Sequence, residues 1–271
     1  MSEIEQYLRT VKLPVMPEVA HALIETLNNP EADISAVQQI IAKDPGLTAN
    51  LLRMANSAIF GLSRSVSSLD SAITVVGMNQ IRARALAICV ANAFVMPAGL
   101  ARLEFWQSSM VCAGYAKWLA GKVGIDEQQA WLAGMMLRLG ELTIAQHNPR
   151  LLETIEQMPR APGERWTRET SVLGFDEGNI MSEIARRWDF PEALCEGLEA
   201  AARPLDAPTW SKLGGVVHLA GLLADMFKPA AENLQELPPK VVGALNLDLG
   251  KLAKSMPSSD SFVDVSALLG G

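Results

Sequence analysis

Cysteine is scarce in this chain: Cys89, Cys112 and Cys195 stand alone and far apart, too few and too scattered for a disulfide framework or a thiolate zinc cluster. Each lies in an apolar helical pattern, which fits reduced core thiols and a cytoplasmic setting. Histidine is equally thin, with His21, His147 and His218 in separate segments, so a metal centre built from several imidazoles has almost no raw material. Positive charge is in deficit as well, 23 Lys and Arg against 30 Asp and Glu, for a net charge of -7. Such a surface repels a phosphate backbone, which argues against a general nucleic-acid binder. No apolar run suits a membrane span. The most apolar stretch, 86–100, contains Asn92 and Pro97 and follows Arg82 and Arg84; it is shorter than the roughly 20 residues that a bilayer requires and reads as a core helix. The N-terminus, MSEIEQYLRT, is acidic and lacks the basic start and apolar run of a secretory signal.

What the chain has in quantity is apolar surface at helical spacing. Of its 271 residues 49% are hydrophobic and 20% charged, an ordinary globular profile, and the length allows one large domain or two intimate halves. Apolar stripes fall at Val19, Leu23 and Leu27, at Ile34, Val37 and Ile41, and at Leu47, Leu51 and Met54, as in successive amphipathic helices. Pro17 opens one helix, Ser35 with Gln38 reads as a capping box for the next, and Asp44-Pro45 supplies a cap followed by proline in the first turn. Ser67 with Asp70 is expected to start a short helix ending near Gly77, and 79–94 forms another.

A long helix over 103–123 follows, with Gly124 as its left-handed terminator. The next helix starts at Asp126 and carries the stripe Trp131, Met135, Leu139 and Leu142; another starts at Asn148-Pro149. Further helices are read at 163–173, 177–188, 191–202 and 208–227. The segment 228–240, with Pro229, Pro238 and Pro239, reads as a connector to a small C-terminal element at about 241–253. The apolar end, Val265 to Leu269, is either frayed or docked, on its own body or on another chain. With no strand alternation and no hairpin dipeptide, the expected class is all-α.

Three motifs narrow this reading. They are a leading LPVMP, the run DPGLTANLLRMANSAIFG and the later SLDSAITVVGMNQIR, in that order within residues 13–86. This segment resembles the N-terminal half of HDOD (HD-related output) domains. The likeness continues more loosely through FWQSS, WLAGMMLRLGEL, VLGFDEG and VVHLAGLLAD and covers about 10–227. It implies a compact multi-helix bundle in which an N-terminal helical half, about 10–98, packs on an HD-like helical half, about 99–227, with 228–271 outside it. The HD-like half is related to metal phosphohydrolases.

An HD-type centre needs histidines and aspartates that converge on one or two metals and lower the pKa of a bound water. In the resemblance the adjacent His-Asp pair falls at Leu137 and Arg138, an apolar side chain and a cation. An earlier histidine falls at Ser108, a loop histidine at Glu177, later histidines near Ala201 and Ala202, and the last aspartate at Gly221. The implied centre is therefore degenerate, and neither an HHE nor a GYP sequence marks a cyclic-dinucleotide phosphodiesterase.

Two groups of residues stand as candidate sites, each beside a plainer reading. Asn56, Ser57, Phe60, Gly61 and Arg64 could form a recognition surface; alternatively Asn56 and Ser57 end a helix by bonding backbone groups while Gly61 turns the chain. Ser108, Leu137, Arg138, Glu177, His218 and Gly221 would line a vacated pocket in which Arg138, with Arg186 or Arg187, binds an anion. Alternatively Arg138 lays its stem along the helix and meets Glu141 at i+3. His218 fits a satisfied core histidine, and the twelve methionines fit core filling as readily as an adaptable surface.

The expected function is that of a non-catalytic bacterial adaptor or regulatory module, with no cofactor. The resemblance implies protein partners in trans: a histidine kinase, a receiver-domain protein or a cyclic-di-GMP enzyme. Two alternatives stay open. One is a sensor that binds a nucleotide or phosphate in the vacated pocket. The other is a residual metal-dependent phosphohydrolase using Glu177, Glu183, Asp225 and His218.

Overall fold

The computed structural model describes residues 3–29, 33–57, 60, 65–97, 100–158, 161–226, 228–265 and 268. Among these are sixteen α-helices, two short 3-10 turns and no strand. The first half holds α1 (Glu3–Thr10), α2 (Glu18–Asn28), α3 (Ile34–Ala42), α4 (Pro45–Ala55), α5 (Leu69–Val76) and α6 (Met78–Ala93). The stripe read at Leu47, Leu51 and Met54 puts the first two into the core and leaves Met54 partly buried. Asp44 caps α4 as expected, its Oδ1 accepting from Leu47 N at 2.9 Å. Two caps differ from the sequence reading. Helix α3 is capped by Asp33, whose Oδ1 accepts from Ala36 N, while Gln38 instead reaches Asp70; α5 is capped by Ser68 rather than Ser67. In each case another short oxygen-bearing side chain sits within reach of the free N–H groups.

Between α5 and α6 the chain bends by 117° at Gly77, whose φ of 93° suits a residue without Cβ. Helix α6 is buried on almost every face and stops at Ala93, so the apolar stretch 86–100 is only in part a core helix. No single described helix is long and apolar enough to cross a membrane.

The second half centres on α7 (Arg102–Val123), which ends on left-handed Gly124, and on α8 (Glu127–Leu137), capped by Asp126. These two pack along each other, with α14 (Lys212–Asp225) against α7 and α6 against α8. Around them lie α9 (Leu139–His147), α10 (Pro149–Glu156), α11 (Glu164–Leu173), α12 (Glu177–Arg187) and α13 (Glu192–Glu199). The single helix read through Trp131 and Leu142 is thus two, broken at Arg138. The C-terminal element is likewise two short helices, α15 (Pro239–Ala244) and α16 (Leu249–Ser255). The halves are joined by more than the chain: α1 sets Tyr7 against Phe175 and His147, and Asn28 Nδ2 donates to Asp189 O at 2.8 Å.

Candidate functional site

Glycines explain how the positions of the expected pocket come together. Helix α9 lies against the start of α12 because Gly140 has no Cβ; one built there would stand 2.7 Å from Glu177 Cα. Gly178 faces Leu198 O and Leu137, and Gly221 faces Leu137 and Trp166. Leu137, Glu177 and Gly221 therefore do converge, together with the adjoining Arg138. The space between them is filled by protein. Leu137 reaches over both Gly178 and Gly221, and the Trp166 indole lies on Gly221, with Cζ2 at 2.9 Å from where a Cβ would be.

Polar atoms of the cluster are tied by specific bonds. Trp166 Nε1 donates to Glu177 Oε1 at 3.1 Å, and the indole stacks on His218 with ring centroids 5.1 Å apart. His218 Nδ1 is 2.7 Å from Ala201 O. Burial lowers the His218 pKa, only partly opposed by that carbonyl, so the ring is neutral with its proton on Nδ1, donating to Ala201.

Arg138 pairs with Asp225, whose other oxygen accepts from Gly163 N at 3.0 Å. Burial works against the Arg138 charge, but Asp225 and Glu177 more than offset it and hold its pKa up. The expected i+3 partner, Glu141, is taken by Arg165 at 2.8 Å. The same Arg165 guanidinium meets Glu156 at 3.2 Å, Glu169 at 3.1 Å and Glu177 at 3.3 Å. Desolvation pushes the Glu177 carboxyl up to about 7, and Glu169, desolvated beside Glu177, is raised well above its ordinary value. Five carboxylates thus face two guanidiniums, and burial favours the protonated form of two of them, Glu169 and Glu177.

The remaining site positions lie apart from this cluster. Ser108 is half-buried on α7, and no hydrogen bond or ion pair among the described residues joins it to the cluster. Arg186 pairs with Glu192 and Glu199, and Arg187 with Glu183, so neither stands with Arg138. Asn56 does work on the backbone: Nδ2 donates to Leu52 O and Val66 O at 2.8 Å, and Oδ1 accepts from Val66 N at 2.7 Å. It clasps both ends of the loop after α4. Ser57 closes onto Met54 and Phe60 packs against the core, while Gly61 and Arg64 lie outside the described residues.

A metal does not fit this centre. Leu137 and Trp166 offer carbon where ligands would be required, and the carboxylates converge on guanidinium groups instead. Glu183, Asp225, Glu177 and His218 are each engaged with separate partners, and among the described residues no three His, Cys, Asp or Glu side chains are placed so that they could share a metal ion. Arg165, Trp166 and Glu169 escaped the sequence reading. Their signal was available: a glycine at 221 within an apolar helix implies a large side chain from elsewhere, and Arg165 with Glu169 is an i, i+4 pair.

A model of the HDOD domain matches residues 13–204. An uncharacterised protein of Treponema pallidum (strain Nichols) is 22% identical over 188 residues, covering 67% of this chain and 36% of that protein. The match thus spans about a third of that relative's length. Among solved structures, a candidate phosphohydrolase from Shewanella amazonensis SB2B has a TM-score of 0.78 at 25% identity, over 98% of both chains. An HDOD domain protein of unknown function from Geobacter sulfurreducens has a TM-score of 0.79 at 19% identity, over 98% of this chain and 97% of its own. A candidate signal transduction protein from Marinobacter aquaeolei VT8 has a TM-score of 0.74 at 20% identity, over all of this chain and 60% of its own.

Proposed function

Because the chain belongs to the HDOD family, we propose that it is a non-catalytic signal-transduction module of the bacterial cytoplasm that acts by docking other proteins. One observation carries this reading: the centre where HD-type chemistry would occur is packed with Leu137 and Trp166 and stitched by Arg138 and Arg165. A core closed in this way leaves the outer surface as the working part, and the Marinobacter neighbour's description as a candidate signal transduction protein points to the same setting. Suitable partners are a histidine kinase, a receiver-domain protein or a cyclic-di-GMP enzyme.

The Shewanella neighbour's description as a candidate phosphohydrolase sets the rival, and one preparation decides between them. Protein purified without chelator is expected to hold far less than one transition metal per chain and to leave aryl phosphates intact. Crosslinking in the native cell followed by mass spectrometry is expected to recover one of the three partner types. Stoichiometric metal with phosphate release would sink the proposal.

A further inference from the structure

A cleft of about 610 Å³ opens beside the filled centre, between α11, α14 and the segment after α13, a volume in the range of small-molecule sites. Trp166 and His218 form its inner wall, Leu222 and Pro238 add apolar surface, and Arg203 and Glu164 are its charged members.

The chemistry of these groups is asymmetric. Trp166 has spent its N–H on Glu177 and offers only ring surface. His218 has spent its Nδ1 proton on Ala201 O, so Nε2 keeps a lone pair, with no partner among the described residues. The Glu164 carboxylate accepts from Ala161 N at 2.9 Å at the start of a helix, where backbone dipoles favour a negative charge. Arg203 is exposed and has no carboxylate within ion-pair distance among the described residues. The cleft therefore presents the His218 Nε2 acceptor and the Arg203 cation, whose charge also acts on the buried Asp176, beside the Thr167 hydroxyl and the Glu164 carboxylate. His218 and Arg203 both line this cleft, and His218 bonds to Ala201, two positions before Arg203.

We propose that this cleft binds a small organic anion, with a planar ring that donates an N–H or O–H to His218 Nε2 and a carboxylate or phosphate that meets Arg203. The site is independent of the protein-docking reading, because none of its groups is needed for a partner to bind elsewhere.

The test is calorimetry on the full chain with two probes, indole-3-acetate for the carboxylate and 4-aminophenyl phosphate for the phosphate. At least one should bind saturably in the millimolar range or tighter. Arg203→Ala should weaken that binding roughly tenfold or more, as expected for loss of a charge-assisted bond. Nitrogen NMR of histidine-labelled protein gives a second readout, because the chain has three histidines: the His218 Nε2 resonance should move on binding. Which probe binds identifies the anionic group. Saturation by neither probe, full binding by Arg203→Ala, or an unmoved His218 resonance would overturn the proposal.

Discussion

Arg165 shows how much one side chain can organise. Its guanidinium meets glutamates from α9, α10, α11 and α12, so removing it strands several buried carboxylates at once. Arg165→Met is expected to cost about 3–5 kcal/mol, the usual penalty for breaking one side of a buried ion pair, as read by urea denaturation. The same cluster sets a pH dependence. Burial raises Glu177 to about 7 and the adjoining Asp176, which caps α12 by accepting from Asn179 N, to about 6, both above the 4.5 and 3.8 of free side chains. The folded state thus binds more protons than the unfolded one between about pH 4 and 7. These groups favour the fold fully below that window, and the contribution is lost as pH rises through it, by up to about 1.4 kcal/mol per unit for each group. Glu177→Gln should flatten the slope, gaining stability relative to the parent at pH 8 but not at pH 4. The sequence made Leu137 and Arg138 legible as unfit for metal, since residue type alone decides that. It did not make the Arg138 partner legible: Asp225 lies 87 positions away, and no local periodicity reports a contact at that distance.

At the scale of elements, helix existence was readable from apolar spacing and helix ends only from caps. Asp44, Asp126 and Gly124 mark their helices where expected. The break at Arg138 was hidden because the apolar stripe runs through it unbroken, from Trp131 to Leu142. What requires the break is the contact between α9 and α12, and that contact rests on Gly140. Gly140→Ala would press a methyl group into the backbone of Glu177, which cannot rotate aside, so a loss of about 3 kcal/mol or more is expected. Gly243→Ala is the control: nothing lies within 4 Å of its Cβ position, and the change should gain roughly 0.5–1 kcal/mol from helix propensity. Parallel thermal melts of the two variants would separate packing from propensity.

Across the whole molecule, the C-terminal segment closes the face of α7 that the rest of the bundle leaves open. The Phe262 ring occupies the notch at Gly114 and stands edge-on to Tyr115 at 5.2 Å, while Tyr115 Oη donates to Pro257 O at 3.4 Å. Burial lifts both tyrosines, Tyr7 and Tyr115, to about 12. Deleting residues 256–271 should therefore bring one phenol back toward its ordinary value near 10, visible as one equivalent of tyrosinate absorbance during alkaline titration; an unchanged titration would mean that the segment does not shield Tyr115. Within the interior, the four helices that meet at Arg165 are held by a positive charge written into the gene and made with the chain. Chelation, oxidation of a bound iron and exchange of one metal for another are the usual ways in which a metallocentre fails, and none of them has any hold on a guanidinium.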